Sequence, residues 1–168
     1  EPNQFRPPTI LVTVPECHVY KVRIDAGKTT IFVGSTGHLY CTSILVKGED
    51  ISGNSWLIVW HNNPVDISNM NGRKSYRKYL HDNLPDLVRG LKKVRIVVLP
   101  DSRFGKYLFP NEIKEKTGAE AVMILPRTED VEITVVVGGK GFGVFLEEWE
   151  SLESIGDKDA TAKHFIDN

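Results

Sequence analysis

Cysteine is scarce in this 168-residue chain: Cys17 and Cys41 are its only two, too few to form a disulfide framework. Two thiols in a chain of this size read as reduced, half-buried residues of an intracellular protein, so the expected location is the cytoplasm, with the nucleus as the second choice. Long apolar runs are absent as well. None approaches the roughly 18 residues that span a bilayer, and no secretory leader is recognisable, so no membrane partner is expected. Excess charge of one sign is also missing. Lys and Arg number 21 against 22 Asp and Glu, for a net charge of −1. That balance excludes a uniformly cationic coat for nucleic acid. The 40% hydrophobic and 26% charged content suits a soluble globular chain of one domain or two small ones.

Several chemistries are missing too. "AGKTT", residues 26 to 30, has the tail of a phosphate-binding P-loop, but the glycine that motif requires five positions before Gly27 is Val22. "GGKGFG", residues 138 to 143, contains no G-x-G-x-x-G and reads as a tight turn after a strand. His18, His38, His61, His81 and His164 show no metal-ligand spacing, and neither cysteine has a nucleophile signature around it. The expectation is a non-enzymatic protein without metal, cofactor or small-molecule substrate.

What the chain does contain is an echo of itself. "TILVTVPE", residues 9 to 16, and "RIVVLPD", residues 95 to 101, are both β-branched apolar strands stopped by proline and then an acid. Thr36-Gly37 and Thr117-Gly118 follow, each leading into an apolar strand, "CTSILVKG" and "AVMILPR". Then come "WLIVWHN", residues 56 to 62, and "ITVVVGG", residues 133 to 139. Each half closes on a helical period. Tyr76, Leu80, Leu84, Leu87 and Leu91 share one face, with Pro85 kinking the helix or starting a new turn; Phe142, Phe145, Trp149, Leu152 and Ile155 share another, with Gly156 at the cap position. The predicted order is strand, helical region, strand, strand, helix, twice.

That order resembles tandem type I KH modules, small RNA-binding folds. "NEIKEKTGAEAVMI" and "VEITVVVGGKGFGVFLEEWESL" carry the resemblance in the second half; "ILVTVP", "GSTGHLYCTSILV" and "SWLIVWHN" carry it in the first. The Gly-x-x-Gly loop with which such modules grip nucleotides is missing, since "RIDAGK" and "RFGKY" hold only Gly27 and Gly105. In this the chain is similar to the degenerate modules of the Bicaudal-C family, which pack together or bind proteins. The resemblance implies an α+β protein of two βααββα modules, residues 9–91 and 93–156, with a flexible segment at 1–8 and a polar tail at 157–168. It implies a scaffold of post-transcriptional regulation whose partners are single-stranded RNA, proteins, or both.

Charge is uneven along the chain. Between Arg73 and Lys106 ten basic residues face only Asp82, Asp86 and Asp101. Such a stretch would follow a phosphate backbone, with tyrosines among the cations to stack on bases. The candidate RNA- or phosphate-binding residues are Arg73, Lys74, Arg77, Lys78, Arg89, Lys92, Lys93, Arg103, Lys106 and Tyr107. The plainer alternative is a buried Tyr76 with solvated cations on the opposite helix face. A second fold also fits the residues. "CHVYKVRIDAGKTTIFVGSTG" and "SWLIVWHNN" are similar to the opening strands of a pleckstrin-homology or EVH1-like barrel. Trp149 would then lie on its closing helix, and a proline-rich peptide or phosphoinositide would be the ligand.

Overall fold

A computed structural model of the chain describes residues 9–14, 18–24, 30–35, 41–62, 72–101, 103, 105–125, 133–138, 141–146 and 164–165. Within them lie ten strands: Thr9–Thr13 (β1), His18–Ile24 (β2), Thr30–Ser35 (β3), Thr42–Glu49 (β4), Ser55–Asn62 (β5), Lys92–Leu99 (β6), Ala121–Ile124 (β7), Ile133–Gly138 (β8), Gly141–Leu146 (β9) and His164–Phe165 (β10). Two α-helices, Gly72–Leu87 (α1) and Pro110–Thr117 (α2), and a single 3-10 turn at Gly105–Tyr107 complete the described elements. The protein is therefore a mixed α/β structure of the α+β class.

The strands form two sheets, ordered β1-β3-β8-β9-β10 and β2-β5-β4-β6-β7. Each sheet has two edge strands, so the described strands close no single barrel. The second sheet carries both helices. Its nucleus is the β4–β5 hairpin, whose turn is built by Asp50. Oδ1 of Asp50 accepts the backbone N–H groups of Ser52 and Asn54 at 2.9 and 3.0 Å, and Oδ2 accepts the Trp56 indole N–H at 2.9 Å. The Trp56 bond does most to hold the Asp50 carboxyl down at about 2. Gly53, at φ 84°, supplies the left-handed residue of the turn.

From the end of β5 the chain enters α1, whose period was legible in the sequence: Tyr76, Leu80 and Leu84 are fully buried, with Leu87 and Leu91 packed beside them. Pro85 falls in the last turn of α1. After β6 a short connection leads to α2. Here the Thr-Gly pair stops the helix. Gly118 takes φ 72° and returns its N–H to the Lys114 carbonyl at 2.8 Å. The Thr117 hydroxyl donates to the Ile113 carbonyl and accepts the Ala119 N–H. The chain then lays β7 parallel to β6. Both helices cover one face of the sheet, where Ile44, Ile58, Ile96 and Val98 meet Leu80, Leu84 and Ile113. Leu45, Leu57, Val59, Val97 and Leu99 form the core on the other face.

Three expectations are corrected. The helical region expected between the first two strands is occupied by β2 and β3; "HVYKVRI" alternates and is rich in β-branched residues, which favours a strand. The closing helix expected from Phe142 begins instead as β9, paired antiparallel with β8. Glycines at 141 and 143 weaken any helix there, and Phe and Val suit the pleat; residues 147–156 lie outside the described set, as do 1–8 and 157–163. Finally, β4 pairs antiparallel with β6, so one sheet draws strands from both sides of residue 92.

That β4–β6 pairing contains one irregularity. Lys47 opposes Arg95 and Glu49 opposes Lys92, leaving Gly48 opposite both Lys93 and Val94. At this bulge Lys93 adopts φ 53°, the sole non-glycine positive φ among the described residues, at a cost of about 1 kcal/mol. A Cβ at Gly48 would make a tight contact, 3.1 Å from the Leu91 Cβ.

Candidate functional site

β5 and β6 run parallel on either side of β4, and both finish at the end of the sheet from which α1 departs. Asp101 emerges just past β6 and is fully enclosed, a location that demands compensation for its charge. Arg103 supplies it. Its Nε donates to Oδ1 at 3.1 Å, its Nη2 donates to Oδ2 at 2.8 Å, and its backbone N–H donates to Oδ1 at 2.8 Å. The Asp101 backbone is fixed as well: its N–H donates to the Tyr76 hydroxyl at 2.9 Å and to Thr42 Oγ1 at 3.2 Å, and its carbonyl accepts from Gly105. The Arg103 side chain is still 40% exposed, so a guanidinium in fixed orientation stands at the rim of the sheet.

Two cation–ring pairs belong to the same end of the sheet. Lys106 lies over the Tyr107 ring at 5.3 Å, and Arg77 lies over the half-exposed Phe109 ring at 5.6 Å. Arg77 also pairs with Glu112, which ties α1 to α2. Tyr79 packs against Trp60 with ring centroids 5.9 Å apart and donates to Asn62 Oδ1 at 3.3 Å.

The ten sequence-designated residues therefore separate into two groups. Arg73 and Lys74 are in the first turn of α1, their side chains outside the described set; with Arg77, Lys78, Arg103, Lys106 and Tyr107 they belong to the end where β6 finishes. Arg89, Lys92 and Lys93 belong to the end where β6 starts. Lys78 pairs with Asp82 at 2.5 Å, Arg89 with Asp86, and Lys93 with Glu49 at 3.3 Å. The first two are exposed pairs that contribute little to stability. Sequence reasoning missed Asp101 as the anchor of Arg103, although Asp-x-Arg straight after a buried strand was a usable signal. Cys41 is buried rather than half-buried, and Cys17 is outside the described residues. Among the described residues no three His, Cys, Asp or Glu side chains gather to hold a metal ion, and no helix is long and apolar enough to cross a membrane.

Behind Arg77, between the helices, sits His81, with only 13% of its side chain exposed and Nε2 3.8 Å from Glu112 Oε2. Burial pushes its pKa below 6.5; the Glu112 carboxylate opposes the shift, and Arg77 and Lys116 reinforce it. The unfolded chain thus takes up this proton first as pH falls. The His81 contribution is complete above about 6.5 and declines as pH drops through that value toward the folded-state pKa. Urea midpoints should fall between about pH 7 and pH 5, and His81→Gln should flatten that part of the profile. An unaltered slope in the variant would assign the effect to other groups.

Compared with known proteins, the chain matches no family model and no curated protein.

Proposed function

We propose that this chain is a non-enzymatic binding module that contacts single-stranded RNA at the end of the sheet where β6 finishes, serving a ribonucleoprotein assembly of post-transcriptional regulation. The observation that carries the reading is the Asp101-held guanidinium of Arg103 at the same end of the sheet as the Lys106–Tyr107 and Arg77–Phe109 pairs. Cations paired with rings suit a ligand that alternates phosphate and base. The net charge of −1 confines such binding to a local patch rather than the whole surface. Tandem KH-like modules remain the finer version of this reading. Since β4 and β6 pair across the supposed junction, the proposal rests on the charged end and not on that architecture.

Anisotropy titrations of labelled oligouridylate and oligoadenylate test it. At low salt, Lys106→Glu and Tyr107→Ala should each weaken binding about 10-fold, whereas Arg89→Glu and Lys92→Glu should change it by less than about 2-fold. Binding should also fall steeply as salt rises. No binding by the parent protein, or equal losses from both ends, would remove RNA from the account and leave protein partners.

A further inference from the structure

Between the two helices one carboxylate stands within reach of two bases. Arg77 and His81 lie one turn apart on α1, and Glu112 approaches both from the first turn of α2. Its Oε1 accepts from Arg77 Nη2. Its Oε2 is buried and accepts from no described residue, and His81 Nε2 is buried and unpartnered in the same way. These two atoms are 3.8 Å apart, too far for a hydrogen bond. Unpaired buried polar atoms are costly, and two of them side by side call for an explanation.

A proton would pair them. The imidazolium ring donates from both nitrogens, so Nε2 gains the hydrogen that Oε2 lacks. A closure of about 1 Å then gives a charge-assisted bond of about 2.8 Å. Burial is the main reason that His81 resists this proton; among the charged neighbours on both helices, Glu112 and Asp82 favour it, and Arg77 and Lys116 oppose it. Asp82 is an exposed partner of Lys78, which leaves Glu112 as the carboxylate that responds. Such couplings are reciprocal: since Arg77 disfavours the proton, the proton disfavours Arg77 where it now sits.

We propose that His81 is a proton-operated release for Arg77: once protonated, it draws Glu112 toward itself and frees the guanidinium. His81, with 13% of its side chain exposed, is the enclosed partner, whereas Arg77 is 42% exposed and lies over the half-exposed Phe109 ring. The freed group is therefore already at the surface. Its consequence for RNA rests on the reading above, in which the Arg77–Phe109 pair belongs to the contact end. A guanidinium without its carboxylate is available to phosphate, so RNA should be held more tightly below about pH 6 than at neutral pH.

Two measurements on the full chain separate the release from the RNA reading. In side-chain NMR from about pH 7.5 to pH 5, the Arg77 Nε–H and Glu112 carboxyl signals should move with the midpoint of the His81 ring, and should not move with it in His81→Gln. In anisotropy titrations with oligouridylate, binding by the parent should tighten at least about 3-fold over that range, against less than about 1.5-fold for His81→Gln. The two proteins should bind equally at about pH 7.5, which excludes misfolding of the variant. Arg77 signals that ignore the His81 titration would overturn the proposal, and so would acid-tightened binding that persists in His81→Gln or RNA binding by the parent that is indifferent to pH. Coupled shifts in a protein that binds no RNA at either pH would support the release and sink the RNA reading alone.

Discussion

An Arg103→Ala variant should be about 3 kcal/mol less stable than the parent, and adding Asp101→Asn should recover at least half of that loss. Asp101 has no exposed surface, and the Arg103 guanidinium engages both of its oxygens. Removing that group leaves a buried carboxylate whose one remaining donor among the described residues is the residue-103 backbone N–H. Breaking a buried pair in this way costs about 3–5 kcal/mol; the 40% exposure of Arg103 puts this pair at the lower end. Asparagine keeps an acceptor for the backbone N–H and removes the charge. Urea unfolding of the two single variants and the double variant closes the cycle. A double variant no more stable than Arg103→Ala would show that the guanidinium matters for its shape rather than for the charge it neutralises.

Leu80→Ala should cost about 3–4 kcal/mol. Leu80 is fully buried at the middle of α1, in the cluster that joins the helix to Ile44, Ile58, Ile96 and Val98. Truncation removes favourable burial and leaves a hole that neighbours on three strands are too constrained to fill. The same helix carries Arg77 onto Phe109 and Tyr79 onto Trp60, so its seating governs the geometry of the proposed RNA end. Urea midpoints measure the loss. A drop below about 1 kcal/mol would mean that α1 is not anchored on the sheet as described.

How much of this was legible in the sequence depended on the range of the interaction. The three- and four-residue spacing of Tyr76, Leu80, Leu84 and Leu87 and the Thr117-Gly118 pair are local signals, and they appear in α1 and at the end of α2. "SWLIVWHN" and "RIVVL" read as buried strands and are β5 and β6. β2 was misread because it lies at the sheet edge, where exposed His18, Val19, Lys21 and Arg23 blur the apolar pattern. The β4–β6 pairing left no local trace, since residues about 50 apart fix its register. The basic stretch misled for a geometric reason. The 16 residues of α1, at about 1.5 Å rise each, separate Arg73 and Arg77 from Arg89 and Lys93 by the length of the sheet. Neighbours in sequence thus became opposite poles in space.

The clasp of β4 between β5 and β6 also bears on how the molecule comes into being. A nascent chain that has emerged only through Asn62 can close its hairpin, but β4 still lacks its second neighbour until Leu99 has been made. For that interval Ile44 and Val46 have a strand on one side only, and until Leu87 has been made no helix covers them, so synthesis must outpace any intruder at that open flank.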